Sequence, residues 1–176
     1  MDNLLKPIAD NSIFDSLFMD YKREAFRLEL YPEYRVESEK GELERYLKGE
    51  PFEWNNGYRE WCANLAEAAK RGARMWRIRR LSDPLTDYER MEIDWAYKTQ
   101  APYGLQVWAL YREFKQMPEL NDLPYAFDYW MFDEKTVILV EYDLLGKWIA
   151  CHEYLGDPAP YIALRDKLKK LSRRLV

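Results

Sequence analysis

The stretch YREWCANLAEAAKRGARMWRIRRLSDPLTDYERMEIDW, residues 58–95, decides the fold. Its first part sets Tyr58, Trp61, Leu65 and Ala68 or Ala69 on one apolar helical stripe. Lys70 and Arg71 fall in the last turn, where positive charge complements the helix dipole, and Gly72 stands where a C-terminal cap belongs. The chain passes at once into ARMWRIRRL, residues 73–81, whose length and β-forming side chains predict a strand. Asp83 then reads as a helix N-cap with Pro84 at the first helical position, and Thr86 with Glu89 as a second capping box. Helix, glycine, strand and helix in this order make an α/β connection.

Upstream, Phe14, Leu17, Phe18 and Tyr21 recur at helical spacing. AFRLEL then alternates, with Phe26, Leu28 and Leu30 on one face, and Pro32 ends the strand. A short helix over 42–48 stops at Gly49 and Pro51, and Asn56-Gly57 reads as a turn. Downstream, strands are expected at 104–111, 127–132, 135–142 and 147–154, the last three as an antiparallel meander turning at Asp133-Glu134 and Leu144-Leu145-Gly146. A final helix from Asp157-Pro158 carries Tyr161, Leu164, Leu168, Leu171 and Leu175, with basic residues in its last turns. The expected fold is α/β (α+β): a loose arm over 1–12, then one domain over 13–176. That domain holds a mixed sheet with flanking helices and a C-terminal meander followed by a helix.

Hydrophobic residues make up 48% of the 176 and charged residues 33%, a globular balance with room for a real core. The net charge of −4 argues against general affinity for a nucleic-acid backbone. Cys62 and Cys151 have no CxxC spacing, and with no signal-peptide pattern they suggest a reducing, cytoplasmic setting. Apolar runs such as VILV at 137–140 are too short to span a bilayer.

His152 is the sole histidine and has no companions at metal-ligand spacing, so no metal or cofactor is expected. There is no P-loop, GxGxxG or GxSxG motif. What remains is arginines, carboxylates and aromatic rings. On a strand, Arg77 and Arg79 share a face while Trp76, Ile78 and Arg80 share the other. Two arginines side by side need carboxylates or an anion. One reading pairs them with Asp87, Glu89, Glu92 and Asp94 of the following helix or leaves them on a solvated edge. The other lines an anion pocket with their forked donors. FDYWMFDE, residues 127–134, has the same two readings: core aromatics flanking a turn, or a stacking surface beside the arginines.

The run RGARMWRIRRLSDPLTDYERMEI, with AFRLEL and YWMFDEKTVILVEYDLLGKWIACHEY, resembles an uncharacterised, mainly actinobacterial family known as domain of unknown function 6879. Members typically show Ser-Glu-Pro-Leu-Thr-Asp-Tyr after an Arg-Gly and an arginine-rich strand; this chain has Asp83 where glutamate is usual and Trp76 inside the strand. The resemblance implies a small protein often encoded beside helix-turn-helix regulators, with no assigned activity. The layout is also distantly similar to half of a phospholipase D-like fold. That superfamily's His-x-Lys signature is missing, since Glu153 and Tyr154 follow His152. The similarity therefore implies a non-catalytic, ligand-sensing or protein-binding version.

The leading expectation is a non-enzymatic regulatory or adaptor protein. It would bind a partner protein (a transcription regulator) or a small anionic ligand through Arg77, Arg79, Tyr88, Arg90, Trp130 and Asp133. The alternative is an enzyme acting on a phosphorylated or nucleotide-bearing substrate, with Asp87, Tyr88 or Asp133 as acid–base groups. A deep pocket holding a carboxylate of perturbed pKa would favour the enzyme, and a flat arginine patch the adaptor. DNA binding through the C-terminal helix and residues 70–80 ranks last.

Overall fold

The computed structural model describes residues 4–9, 12–36, 39, 41–113 and 116–176. Among them lie eight strands: β1 (Leu5–Pro7), β2 (Glu24–Glu29), β3 (Arg74–Leu81), β4 (Leu105–Tyr111), β5 (Asp128–Phe132), β6 (Thr136–Tyr142), β7 (Trp148–Tyr154) and β8 (Arg173–Arg174). They form one open sheet in the order β1-β7-β6-β5-β2-β3-β4-β8. β2, β3 and β4 run parallel, as their helical crossovers require, and the other pairings are antiparallel. The helices are α1 (Ser12–Asp20), α2 (Glu42–Leu47), α3 (Asn56–Lys70), α4 (Asp87–Met91), α5 (Lys98–Gln100) and α6 (Ala159–Leu171). A π-helical segment, Glu92–Tyr97, joins α4 to α5. The result is the mixed α/β domain that the sequence predicts, with the meander β5–β6–β7 in place.

Both faces of the sheet are covered, so most strand residues are buried whichever way they point. One face carries Phe26, Leu28, Ile78, Tyr129, Met131 and Leu139 against Tyr161, Leu164 and Leu168 of α6. The opposite face carries Ala25, Met75, Val107, Phe132 and Ile138 against α1, α3 and the π segment. The turn from α3 to β3 follows from Gly72, whose φ of 78° is a conformation that only glycine adopts freely. Gly146 shows close approach instead: a Cβ there would lie 2.0 Å from the Glu33 carbonyl oxygen. The Arg35 amide donates to the Gly146 carbonyl at 2.9 Å, so the β6–β7 turn holds the segment that carries Tyr34.

Several local expectations are corrected. The N-terminal arm is not loose throughout, because Leu5–Pro7 adds to β7 as an antiparallel edge strand. Asn56-Gly57 is not a turn: Asn55 caps α3 by accepting from the Tyr58 amide at 2.8 Å, and the helix starts at Asn56. Asp83 is not an N-cap, because the helix begins after Thr86, whose side chain caps it. Thr86 and Glu89 do form the capping box. Glu89, fully buried, also accepts from the Ser82 amide. The last helix stops at Leu171, after which the Leu175 amide donates to Val107 and the tail pairs with β4.

Candidate functional site

Alternation in β2 puts Phe26, Leu28 and Leu30 against α6, which turns Arg27 and Glu29 to the other face. The parallel register sets Arg27 beside Arg77 and Glu29 beside Arg79, while the antiparallel partner of Arg27 is Trp130. Like charges side by side on a sheet repel. Here Glu29 lies between them: Arg77 Nη1 donates to Glu29 Oε1 at 2.9 Å, and Arg27 Nε is 3.8 Å from the same oxygen. Arg79 Nε donates to Glu92 Oε2 at 2.7 Å, and its Nη1 donates to the Tyr31 carbonyl. Arg27 Nη2 donates to the Tyr142 hydroxyl at 3.0 Å and to Asp128 at 3.4 Å. Asp128 also accepts from the Tyr34 hydroxyl at 2.6 Å and the Leu30 amide at 3.1 Å. The Trp130 ring lies near both guanidinium groups, 5.3 Å from Arg27 and 5.9 Å from Arg77.

Above this layer is a cavity of about 430 Å³, within the range of small-molecule sites. Arg27, Arg77 and Glu29 line it from the sheet, and Phe52, Tyr58, Trp61 and Trp95 form aromatic walls. The π segment shapes the wall. Glu92 and Tyr97 would stand about 140° apart on an α-helix of 3.6 residues per turn. The i to i+5 bonding of a π-helix brings such residues onto one face. Glu92 therefore reaches Arg79 while the Tyr97 hydroxyl donates to Glu29 Oε2 at 3.1 Å. Glu39, Glu42 and Tyr88 line the cavity from the helical side, with the Tyr88 hydroxyl donating to Glu39 at 2.8 Å.

Three guanidinium N–H groups have no acceptor among the described residues: Arg27 Nη1, Arg77 Nε and Arg79 Nη2. A buried donor of a charged group left unmade costs more than the roughly 1–3 kcal/mol of a neutral one. The carboxylates divide in the same layer. Burial would raise Glu29, but Arg77 and Arg27 outweigh it and hold the group below the usual carboxylate range. For Glu92 burial wins over Arg79 and the value is raised. Burial pushes Asp128 up to about 6, against the opposing pull of Arg27. Glu39 is pushed up to about 7 by burial, and the nearby Glu92 and Glu42 reinforce this.

Because Glu39 and Asp128 are raised, the folded state holds their protons more tightly than the unfolded chain does. That stability is complete below the ordinary carboxylate range and is lost as pH rises through 6 to 7. Glu39→Gln should therefore melt above the unsubstituted protein at pH 8 and close to it at pH 5, as read by circular dichroism.

The sequence-predicted residues separate in the structure. Arg77 and Tyr88 line the cavity, Trp130 lies beneath it, and Arg79 is fully buried. Arg90 is away from the cavity, pairing with Asp87 and the Leu85 carbonyl on the exposed side of α4. Asp133 sits in the β5–β6 turn, where its carboxylate accepts from the amides of Lys22, Arg23 and Glu24 at 2.7–3.0 Å. Arg27, Glu29 and Glu39 were not anticipated, whereas Asp128 belongs to the aromatic segment 127–134 singled out from sequence. For Arg27 and Glu29 the signal was present in AFRLEL, as two charges alternating with the apolar face. His152 lies on β7, paired with Leu139 and Pro7 and not among the cavity's lining residues. Among the described residues no group of His, Cys, Asp or Glu is arranged to hold a metal ion, and no helix is long and apolar enough to cross a membrane.

Solved structures with a similar course include TrmBL2, an archaeal chromatin protein, at 11% identity and a TM-score of 0.39. That match covers 94% of this chain and 50% of the other. Another is a phosphatidylserine synthase from Haemophilus influenzae Rd KW20, at 11% identity and a TM-score of 0.46, covering 97% and 38%. The chain thus spans half or less of the length of either. No curated protein matches it significantly in sequence. Residues 12–174, carrying the arginine strand, the capped helix and the meander described above, match the family defined as domain of unknown function 6879 (DUF6879), and the chain belongs to that family.

Proposed function

We propose that the protein is a ligand-binding module of regulatory type, whose cavity takes a small molecule with an anionic group and a flat ring. The observation that carries this is the arginine pair beside the cavity, Arg27 and Arg77, each with a buried N–H that no described residue accepts. A carboxylate or phosphate supplies such acceptors in the planar arrangement that guanidinium groups favour. The aromatic walls suit a ring, since Phe52, Tyr58 and Trp95 already meet edge to face or tilted. Occupancy would be read by a partner protein; the helix-turn-helix regulators implied by the family resemblance fit that part.

Thermal-shift and calorimetric titrations with adenosine monophosphate and 3-indolepropionate test the reading. At least one should raise the melting temperature and bind at a single site. Arg77→Lys keeps a cation beside Glu29 but loses the fork and its Nε–H. It should weaken that binding tenfold or more, about 1.4 kcal/mol, while the protein still folds. Equal affinity for both proteins, or no binding by either anion, would count against the site.

A second reading is favoured by one observation. Glu39, held near neutrality and bonded to Tyr88 in the same cavity, is suited to accept a proton at neutral pH. Of the acid–base candidates named from sequence, Tyr88 alone lines this cavity; Asp87 is paired on the surface and Asp133 holds a turn. Turnover of a bound phosphorylated compound, followed by mass spectrometry and abolished in Glu39→Gln, would support an enzyme.

A further inference from the structure

Resting on the anion-binding reading above, we infer that the ligand is a zwitterion of amino-acid type. Its carboxylate meets Arg27 and Arg77 on the sheet side, its ammonium group meets Glu39 and Glu42 on the helical side, and a flat ring lies among the aromatic walls.

The inference starts from the charges that line the cavity. Two are cationic, Arg27 and Arg77, and four are carboxylates, Glu29, Glu39, Glu42 and Glu92. Glu29 is engaged by Arg77 and Tyr97, and Glu92 by Arg79. Glu39 differs: its partner among the described residues is the neutral Tyr88 hydroxyl, and no described cation pairs with it. Glu42 lies beside it on the same side. A largely buried carboxylate beside other carboxylates is costly unless a proton or a cation joins it. The sheet side presents the converse, since Arg27 is only 4% exposed and its Nη1 lacks an acceptor. Glu42 has Arg45 nearby, whereas a simple anion would answer the arginines and leave Glu39 uncompensated, and a simple cation would do the reverse. One molecule bearing both charges satisfies both sides, and Trp95, Tyr58 and Tyr88 offer ring faces that also favour an ammonium group.

The test uses three compounds that share one ring: L-tryptophan, 3-indolepropionate without the amine, and tryptamine without the carboxylate. Each is titrated calorimetrically into the full chain and into Glu39→Gln at pH 7.5. L-Tryptophan should bind at least tenfold more tightly than either truncated compound. Glu39→Gln should remove the advantage of L-tryptophan over 3-indolepropionate, whose own affinity should not fall. If 3-indolepropionate binds as well as L-tryptophan, the zwitterion inference is overturned and the anion reading stands. If tryptamine binds most tightly, both are overturned. If none of the three binds, the inference is overturned, and the adenosine monophosphate titration alone then decides the anion reading. The melting temperature of Glu39→Gln, expected to be no lower than that of the parent at this pH, guards against a folding artefact.

Discussion

Arg79→Ala should lower the free energy of unfolding by about 3–5 kcal/mol, the usual cost of breaking a buried ion pair from one side. Arg79 is 0% exposed and is surrounded by Glu92, the Tyr31 and Arg80 carbonyls and the Tyr34 ring. Truncation leaves Glu92 buried without its cation and opens a cavity under the pocket. The urea midpoint should fall with little change in slope, because the area exposed on unfolding stays similar. The double variant Arg79→Met with Glu92→Leu should recover at least half of the loss, since it removes both charges and refills the volume. If Arg79→Ala unfolds at the parent's midpoint, Arg79 is not structural and belongs with the ligand contacts. This separates the two strand arginines: Arg79 supports the layer, and Arg77 lines the cavity.

The second large effect is expected at Asp128. Its carboxylate is fully buried and gathers the Leu30 amide, the Tyr34 hydroxyl and Arg27. Asp128→Ala strands a backbone amide, a phenol and a guanidinium at once, so a loss of about 3–5 kcal/mol is again expected. Its pH dependence distinguishes it from a simple cavity. Ionised Asp128 is disfavoured by burial, so the parent loses stability as pH rises through about 6. The variant lacks that loss, and the gap between the two proteins should be wider at pH 5 than at pH 8. Urea titrations at both values measure it; a gap independent of pH would mean that the carboxylate does not titrate in the folded state.

The architecture was legible where one segment carries its own signal. The stripe of α3, Gly72 and the alternation of β3 lie within some two dozen residues, and each states its structure by period or by backbone preference. The meander was legible for the same reason. β1 was not, because three residues ending in Pro7 have no period, and only the edge of β7 makes them a strand. The π segment was equally hidden, since its backbone choice answers to Arg79 and Glu29, which lie on other elements. The candidate site failed to appear for a related reason. Arg77 and Arg79 stood out by crowding, and the partners sought for them were those of the next helix. That helix does supply Glu92 to Arg79. Glu29, which pairs with Arg77, and Asp128, which pairs with Arg27, come from strands about 50 residues to either side, and register brings them into the layer. Arg90 and Asp133 were drawn in by proximity in sequence, yet one faces away from the cavity and the other closes a turn.

The position of β2 bears on the order in which the chain can fold. This first long strand lies in the middle of the sheet, between β3, about 50 residues later, and β5, about 100 residues later. Neither edge of β2 has a local partner, and the Asp133 carboxylate that holds its first residues comes from the far side of the chain. Loop closure must therefore precede the gain from pairing, which places the protein among slow folders of high contact order. During synthesis AFRLEL emerges early and waits, with one hydrogen-bonding edge open until β3 has been made and the other until Trp130 and Phe132 have. The charges at Arg27 and Glu29, which build the site in the finished molecule, also interrupt an otherwise apolar strand during that wait, and so act as gatekeepers against pairing with another chain.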